Sequence, residues 1–129
     1  MKVLKFGGTS VGSSENIQRV AKIVKTKAEN TAIVVVVSAV GGITDKLMAA
    51  SKKAIQGNLD YKSDFNQIKK QHIEIIEGLL SEASLEETKD LVLEKLSELE
   101  KLLEGIYLIN ELSIQTTDKL LSFGELISS

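Results

Sequence analysis

Residues 5–12 of this 129-residue chain read KFGGTSVG, between a short apolar strand, predicted for Met1–Phe6, and a predicted helix. The adjacent glycines Gly7 and Gly8 let the backbone approach a ligand without Cβ clashes. The amides of such a turn can converge on an anion together with the N-terminus of the next helix. Lys5 adds a positive charge beside them. The stretch therefore suggests a phosphate-binding loop.

A tight structural turn is the alternative interpretation of the same stretch. The motif Gly-x-x-x-x-Gly-Lys-Ser/Thr is absent, and Gly7, Gly8 and Gly12 do not form Gly-x-Gly-x-x-Gly. The residues alone therefore leave both interpretations open.

The pattern of the first 38 residues predicts a β-α-β unit. The pattern predicts a helix over Ser13–Lys27, with a broad apolar face, and a second strand over Ala32–Ser38. The β-branched run Ile33–Val37 is typical of a parallel strand buried on both faces. Because both strand-to-helix turns then share one sheet edge, they are expected to meet there. Two strands alone cannot bury such a run, so we expect an incomplete sheet belonging to a larger domain.

Two further segments are candidate site elements. Ser38–Thr44 is a second glycine-bearing turn at the same sheet edge, with Thr44 as a plain helix N-cap as the alternative. Ser122–Glu125 is the third, with a solvated glutamate as its alternative. Two loops of small residues at one sheet edge indicate a shared anion and substrate site more strongly than either loop does by itself.

The rest of the chain is predicted to be helical. A helix over Asp45–Gln56 precedes an antiparallel hairpin at about residues 61–112, whose second helix starts at a capping box, Ser84–Glu87. A last helix is predicted from about Thr116, interrupted near Phe123–Glu125. The apolar positions of the hairpin helices form narrow packing seams, namely Phe65, Ile68, His72, Ile75 and Leu79, then Val92, Leu96, Leu99, Leu103 and Ile106. His72 is predicted to be a packing residue.

Composition narrows the functional class. The net charge of −2, with basic residues dispersed, gives no support for a nucleic-acid or membrane-surface partner. The longest apolar run, Ala32–Val37, is far too short to span a bilayer. The absence of cysteine excludes thiol chemistry, and one histidine argues against a His-based metal site. With no signal-peptide pattern, a cytoplasmic protein is the expectation.

Three segments together resemble the aspartate kinases, which have the amino-acid kinase fold. KFGGTSVG at 5–12 resembles their N-terminal signature, whereas related kinases for glutamate, carbamate or UMP usually carry a Lys-x-Gly-Gly-Ser variant. Ser38–Asp45 resembles their second loop and Ser122–Leu126 their third, so the resemblance covers essentially the whole chain. The hairpin is similar to that of bifunctional aspartokinase–homoserine dehydrogenases or of the longer monofunctional enzymes.

The resemblance implies an α/β fold with a parallel sheet core and flanking helices, of which residues 1–129 form an incomplete, helix-rich N-terminal segment of one catalytic domain. It implies transfer of the ATP γ-phosphate to the β-carboxylate of L-aspartate, giving 4-phospho-L-aspartate for lysine, threonine, methionine and isoleucine synthesis. By the same resemblance Lys5 is the catalytic group, and ATP phosphates are bound by Lys5, Phe6, Gly7, Gly8 and Ser10. Aspartate is then bound by Ser38, Thr44 and Glu125, with Glu125 facing the α-ammonium group.

The resemblance also implies what lies elsewhere. Members of the family continue well beyond residue 129, into a segment that supplies an aspartate, an arginine and the nucleotide-base pocket. We therefore expect little kinase activity from this chain alone, and we expect as partners ATP, L-aspartate, the remainder of its own domain and a second copy. Mg²⁺ is implied by ATP chemistry, without an identifiable ligand. The alternatives are an amino-acid kinase with another acceptor and a helical oligomerisation module.

Overall fold

The computed structural model describes residues 1–79 and 81–129. Across these residues, two strands and five helices follow one another in the order β1 (Lys2–Phe6), α1 (Ser14–Ala28), β2 (Ile33–Val37), α2 (Ile43–Ile55), α3 (Tyr61–Leu79), α4 (Glu82–Ile109) and α5 (Ile114–Ser128). None of the described helices is long and apolar enough to cross a membrane.

The predicted β-α-β unit is confirmed. β1 and β2 pair in parallel, in a register that runs from Lys2 opposite Ile33 to Phe6 opposite Val37. As expected, β2 is not buried on both faces within this chain, since its middle residue, Val35, is 41% exposed. The side chains of β2 project from the two faces of a sheet that is too small to bury them, which is the exposure expected of an incomplete sheet.

Helix α1 starts one residue after its predicted start, and its apolar face is less buried than the sequence predicted. Ser13 is its N-cap, and the Ser13 hydroxyl accepts a hydrogen bond of 3.2 Å from the amide of Asn16. No side chain of α1 is fully buried, and Ile23 is 47% exposed. The broad apolar face predicted for this helix is therefore covered only in part.

The core lies among α2, α3, α4 and α5. The predicted seam of α4 is confirmed, since Leu96, Leu99 and Leu103 are at most 1% exposed. It packs in one cluster with fully buried residues of the neighbouring helices, among them Leu47 of α2 and Leu120 of α5. Because these seams are used inside the chain's own core, they give no support to an independent oligomerisation module.

The predicted starts of α2 and α4 are wrong. Thr44, offered above as the N-cap of α2, lies inside the first turn of that helix. The N-cap of α2 is Gly42, whose φ of 82° lies in the left-handed region that favours glycine. Helix α4 starts at Glu82 after Ser81, so Ser84–Glu87 lies inside the helix rather than forming a capping box.

The last helix also differs from its prediction. α5 starts two residues before the predicted Thr116, and the Ser113 hydroxyl accepts a hydrogen bond of 3.1 Å from the amide of Thr116. The helix runs without a break through Phe123–Glu125 as far as Ser128. Gly124 is thus a helical residue, and the close packing of α5 on Ala39 explains why a glycine stands there.

Asn110 fixes the end of α4 against α2. It is the C-cap of α4 and adopts a φ of 59°, a left-handed conformation that asparagine tolerates better than most residues. Its side-chain amide donates a hydrogen bond of 3.2 Å to the carbonyl oxygen of Ile55, at the end of α2. This contact joins two helix ends that are 55 residues apart.

Candidate active site

The two glycine-bearing turns lie against each other at the sheet edge. We call residues 7–12 the first loop and residues 38–42 the second loop. A Cβ atom added to Gly8 would lie 3.0 Å from the carbonyl oxygen of Ala39, and one added to Gly41 would lie 3.2 Å from the carbonyl oxygen of Gly8. The Ser38 amide also donates a hydrogen bond of 3.0 Å to the carbonyl oxygen of Phe6. A side chain at position 8 or 41 would therefore force the two loops apart by a few tenths of an ångström.

The first loop is a compact turn anchored to α1. The amide of Val11 donates to the carbonyl oxygen of Gly7 at 3.3 Å, and the amide of Gly12 donates to that of Thr9 at 3.3 Å. The Asn16 side chain, from the first turn of α1, donates to the same Thr9 oxygen at 2.9 Å. Val11 is the buried residue of the loop, with an exposed fraction of 4%.

The outer part of the first loop presents unused backbone donors. The amides of Gly8, Thr9 and Ser10 donate no hydrogen bond to any residue that the structure describes. Consecutive free amides in a turn ahead of a helix N-terminus are an arrangement that binds anions such as phosphate. The loop therefore has the backbone chemistry of the predicted phosphate site.

Helix α5 brings the third motif against the second loop. A Cβ atom added to Gly124 would lie 2.8 Å from the Cβ atom of Ala39 and 3.6 Å from a methyl carbon of Leu47. Glu125, the next residue, is exposed and borders a shallow depression of about 270 Å³ beside β2, together with Val36. The second loop thus contacts both the first loop, through Gly8, and α5, through Gly124.

The predicted side chains of this region are close to the loops but do not contact one another. Lys5 is exposed at the end of β1, opposite Val36 in the strand register, and Thr44 is exposed in the first turn of α2. Within residues 1–79 and 81–129, the side chains of Lys5, Thr44 and Glu125 form no hydrogen bond or ion pair. Their charged and polar groups therefore remain available to a ligand.

The other predicted residues lie deeper or on the α1 side. Ser38 is half-buried at the start of the second loop. Phe6 and Ser10 border a depression of about 280 Å³ together with Asn16 and Arg19 of α1. This depression and the one beside Glu125 have no lining residue in common. Phe6 and Ser10 therefore lie at one depression and Glu125 at another.

Sequence reasoning missed Gln71 in α3. Its side-chain nitrogen donates a hydrogen bond of 3.0 Å to the carbonyl oxygen of Gly41, and its side-chain oxygen accepts one of 2.8 Å from the Lys46 ammonium group. The available signal was the position of this polar residue three residues after Ile68 and four before Ile75, beside the buried seam of the helix.

His72, the neighbour of Gln71, is a packing residue as predicted. It is 4% exposed, and its Nδ1 donates a hydrogen bond of 2.7 Å to the carbonyl oxygen of Ile68. Burial lowers the pKa of the imidazole because it disfavours the charged form, and the nearby Lys46 lowers it further. The bond to the Ile68 carbonyl opposes that shift.

Potential metal-ligating side chains are dispersed over the described residues. Nowhere in ranges 1–79 and 81–129 do three histidine, cysteine, aspartate or glutamate side chains gather where they could hold a metal ion.

The chain matches the amino acid kinase family over residues 1–129. This chain belongs to the amino acid kinase family. Among the curated members of this family that it resembles, the chain is 38% identical to aspartokinase 1, chloroplastic, of Arabidopsis thaliana, over 98% of its own length and 22% of that protein. It is 28% identical to the bifunctional aspartokinase/homoserine dehydrogenase of Buchnera aphidicola, over 99% of the chain and 16% of that protein.

Solved structures of this family show the same fold. Escherichia coli aspartokinase III in complex with aspartate and ADP superposes with a TM-score of 0.84 at 30% identity. The same enzyme in complex with lysine and aspartate gives a TM-score of 0.82. Each match covers 99% of the chain and 27% of the solved structure. The chain therefore spans between a fifth and a third of the lengths of the aspartokinases named here, apart from the longer bifunctional one.

Proposed function

We propose that this chain supplies the phosphate-binding part and one wall of the substrate pocket of an aspartate kinase. A carboxylate oxygen of L-aspartate attacks the γ-phosphorus of ATP, the bond to the β-phosphate oxygen breaks, and ADP and 4-phospho-L-aspartate are released. The observation that carries the proposal is the backbone contact of Gly8 with Gly41, which presents the free amides of the first loop. The similarity to an aspartokinase solved with aspartate and ADP supports the choice of substrates.

The first loop stabilises the transferring phosphoryl group in this proposal. Phosphoryl transfer depends mainly on positioning and on neutralising charge on the phosphate oxygens. The amides of Gly8, Thr9 and Ser10 donate to those oxygens, and the Lys5 ammonium group adds a positive charge. The flexibility of Gly7 lets the backbone approach the phosphate, while Phe6 and Ser10 border it from the α1 side.

The second loop and α5 hold the acceptor. The hydroxyl groups of Ser38 and Thr44 bind the aspartate carboxylates, and the Glu125 carboxylate pairs with the α-ammonium group. Because Gly124 packs on Ala39, the third motif is fixed relative to the second loop. The aspartate side chain then points from the Glu125 side toward the first loop, where the γ-phosphate lies.

The rest of the proposed enzyme comes from outside residues 1–129. We propose that these residues are the N-terminal segment of one catalytic domain, because the aspartokinases named above are several times longer. The remaining part supplies the nucleotide-base pocket and the ligands of Mg²⁺. Assembly into a homo-oligomer, a role in lysine, threonine and methionine synthesis and a cytoplasmic location stay predictions; the Arabidopsis thaliana relatives are chloroplastic.

The acceptor dependence of ADP release tests the proposal. The protein that contains this chain and the rest of the catalytic domain is given MgATP with aspartate, with glutamate or with no acceptor. We expect ADP release with aspartate only, and no turnover by residues 1–129 alone. A preference for glutamate or another acceptor would leave the family membership intact and overturn the substrate assignment.

A further inference from the structure

Gln71 bridges a helix of the hairpin and the second loop with both ends of its amide. A lysine ammonium group only donates and a carbonyl oxygen only accepts, so the partners Lys46 and Gly41 fix which way the amide points. Its oxygen faces Lys46 at 2.8 Å and its nitrogen faces the Gly41 carbonyl at 3.0 Å. Only one orientation of this half-buried side-chain amide therefore forms both hydrogen bonds.

The carbonyl group that Gln71 holds belongs to the peptide at the centre of the site. Gly41 contacts Gly8 of the first loop, since a Cβ atom on Gly41 would lie only 3.2 Å from the Gly8 carbonyl oxygen. The next residue, Gly42, has a φ of 82° and caps α2. A rotation of the Gly41 peptide would therefore move both the contact with the first loop and the start of α2.

Helix α3 also contacts the helix that follows the first loop. A Cβ atom added to Gly78 would lie 2.8 Å from the Cβ atom of Ser14, the first residue of α1. Gln71 and Gly78 are seven residues apart, about two helical turns, so they lie on the same side of α3. One side of α3 thus contacts the second loop through Gln71 and the start of α1, the helix that follows the first loop, through Gly78.

We propose that Gln71 is a positioning residue for phosphoryl transfer: it fixes the Gly41 carbonyl and, through the contact of Gly41 with Gly8, the first loop. This inference rests on the proposed function. The first loop holds the phosphate and the second loop holds the acceptor, so the relative position of the loops sets the alignment of the reacting atoms. A displacement of about 1 Å can reduce the rate by up to roughly 100-fold, even when it arises away from the reacting groups.

Two variants of Gln71 and two matched controls separate positioning from general stability. Gln71→Glu keeps an oxygen for Lys46 but places a carboxylate oxygen against the Gly41 carbonyl, whereas Gln71→Ala removes both hydrogen bonds. Gln67 lies one helical turn earlier on α3 and is exposed, so Gln67→Glu and Gln67→Ala make the same chemical changes away from the loops. If Gln71→Glu does not fold, Gln71→Ala carries the test.

Steady-state kinetics and amide hydrogen exchange are measured on the protein that contains this chain and the rest of the domain. We expect kcat to fall roughly 10-fold or more in both Gln71 variants, while KM for ATP and aspartate changes less than about threefold. We expect exchange to accelerate at the hydrogen-bonded amides of the two loops and the start of α2, namely those of Val11, Gly12, Ser38 and Ile43, and not in α4. The Gln67 variants should match the wild type in both measurements.

Two results would overturn the positioning role. One is a folded Gln71 variant with the kcat and loop exchange of the Gln67 controls. The other is exchange that accelerates equally in α4, which would indicate a general loss of stability. If the wild-type protein does not phosphorylate aspartate, the proposed function fails, and the exchange comparison still tests whether Gln71 holds the loops.

Discussion

Replacing Gly124 with alanine tests the contact that joins α5 to the second loop. Gly124 is buried within α5, and the added methyl group would lie 2.8 Å from the Cβ atom of Ala39. A Cβ atom has no rotamer through which it can move away, so the helix and the loop must separate. The substitution therefore acts on backbone packing rather than on a flexible side chain.

The expected loss of stability follows from two opposing effects. Alanine is better than glycine in a helix interior by about 1 kcal/mol. Overpacking in a filled core typically costs about 1–3 kcal/mol, and a contact as short as the one with Ala39 belongs in the upper part of that range. We therefore expect Gly124→Ala to lower the free energy of unfolding by about 1–2 kcal/mol.

Gly105 provides the matched control within the same chain. It lies in α4, and a Cβ atom added there meets no atom within 4 Å. Gly105→Ala should therefore raise the free energy of unfolding by about 0.5–1 kcal/mol, because only the helix preference remains.

Urea unfolding of the 129-residue chain, followed by far-UV circular dichroism, measures both variants. The double variant Ala39→Gly, Gly124→Ala should recover stability relative to the sum of the single changes, since the clashing methyl group is gone. The reasoning is refuted if Gly124→Ala is as stable as Gly105→Ala, or if the double variant shows no coupling.

Three further predictions address single residues. Because burial lowers the pKa of His72 below its value of 6.5 in the unfolded chain, the unfolded state binds more protons; unfolding free energy should fall as pH drops below about 6.5. His72→Gln should flatten that dependence, and parallel pH profiles would contradict it. Asn110→Ala should cost about 1–2 kcal/mol in denaturant unfolding, with Asn110→Gly costing less because glycine tolerates the φ of 59°; equal losses would contradict this. Glu125→Ala should raise KM for aspartate about 10-fold or more and leave KM for ATP unchanged; an unchanged aspartate KM would remove Glu125 from the pocket.

The sequence predicted the β-α-β unit and the contact of the two glycine loops because both follow from local patterns. An apolar run flanked by turns defines each strand, and parallel pairing puts both turns at one edge. The hairpin seams were equally clear, since their spacing of three and four residues continues over several helical turns. Each strand, turn and seam is defined by residues close together in the chain, and the rule for parallel strands then brings the two turns to one edge.

The errors concern choices that depend on tertiary contacts. Gly124 looked like a helix break, but it is the residue that lets α5 approach Ala39. The start of α4 was misplaced because serine stands at both 81 and 84, and local sequence does not choose between them. Gln71 could not be assigned a partner because the Gly41 carbonyl lies 30 residues away in the chain.

The central claim is that the first loop and Lys5 bind the phosphate that is transferred, and kcat of Lys5→Ala tests it most directly. The measurement uses the protein that contains this chain and the rest of its catalytic domain, with Lys2→Ala as the control. Lys2 is exposed on the same strand but points to the opposite face of the sheet. We predict that Lys5→Ala lowers kcat by a factor on the order of 10²–10³ while Lys2→Ala keeps the wild-type rate. A Lys5→Ala enzyme with a near-normal kcat would contradict the account.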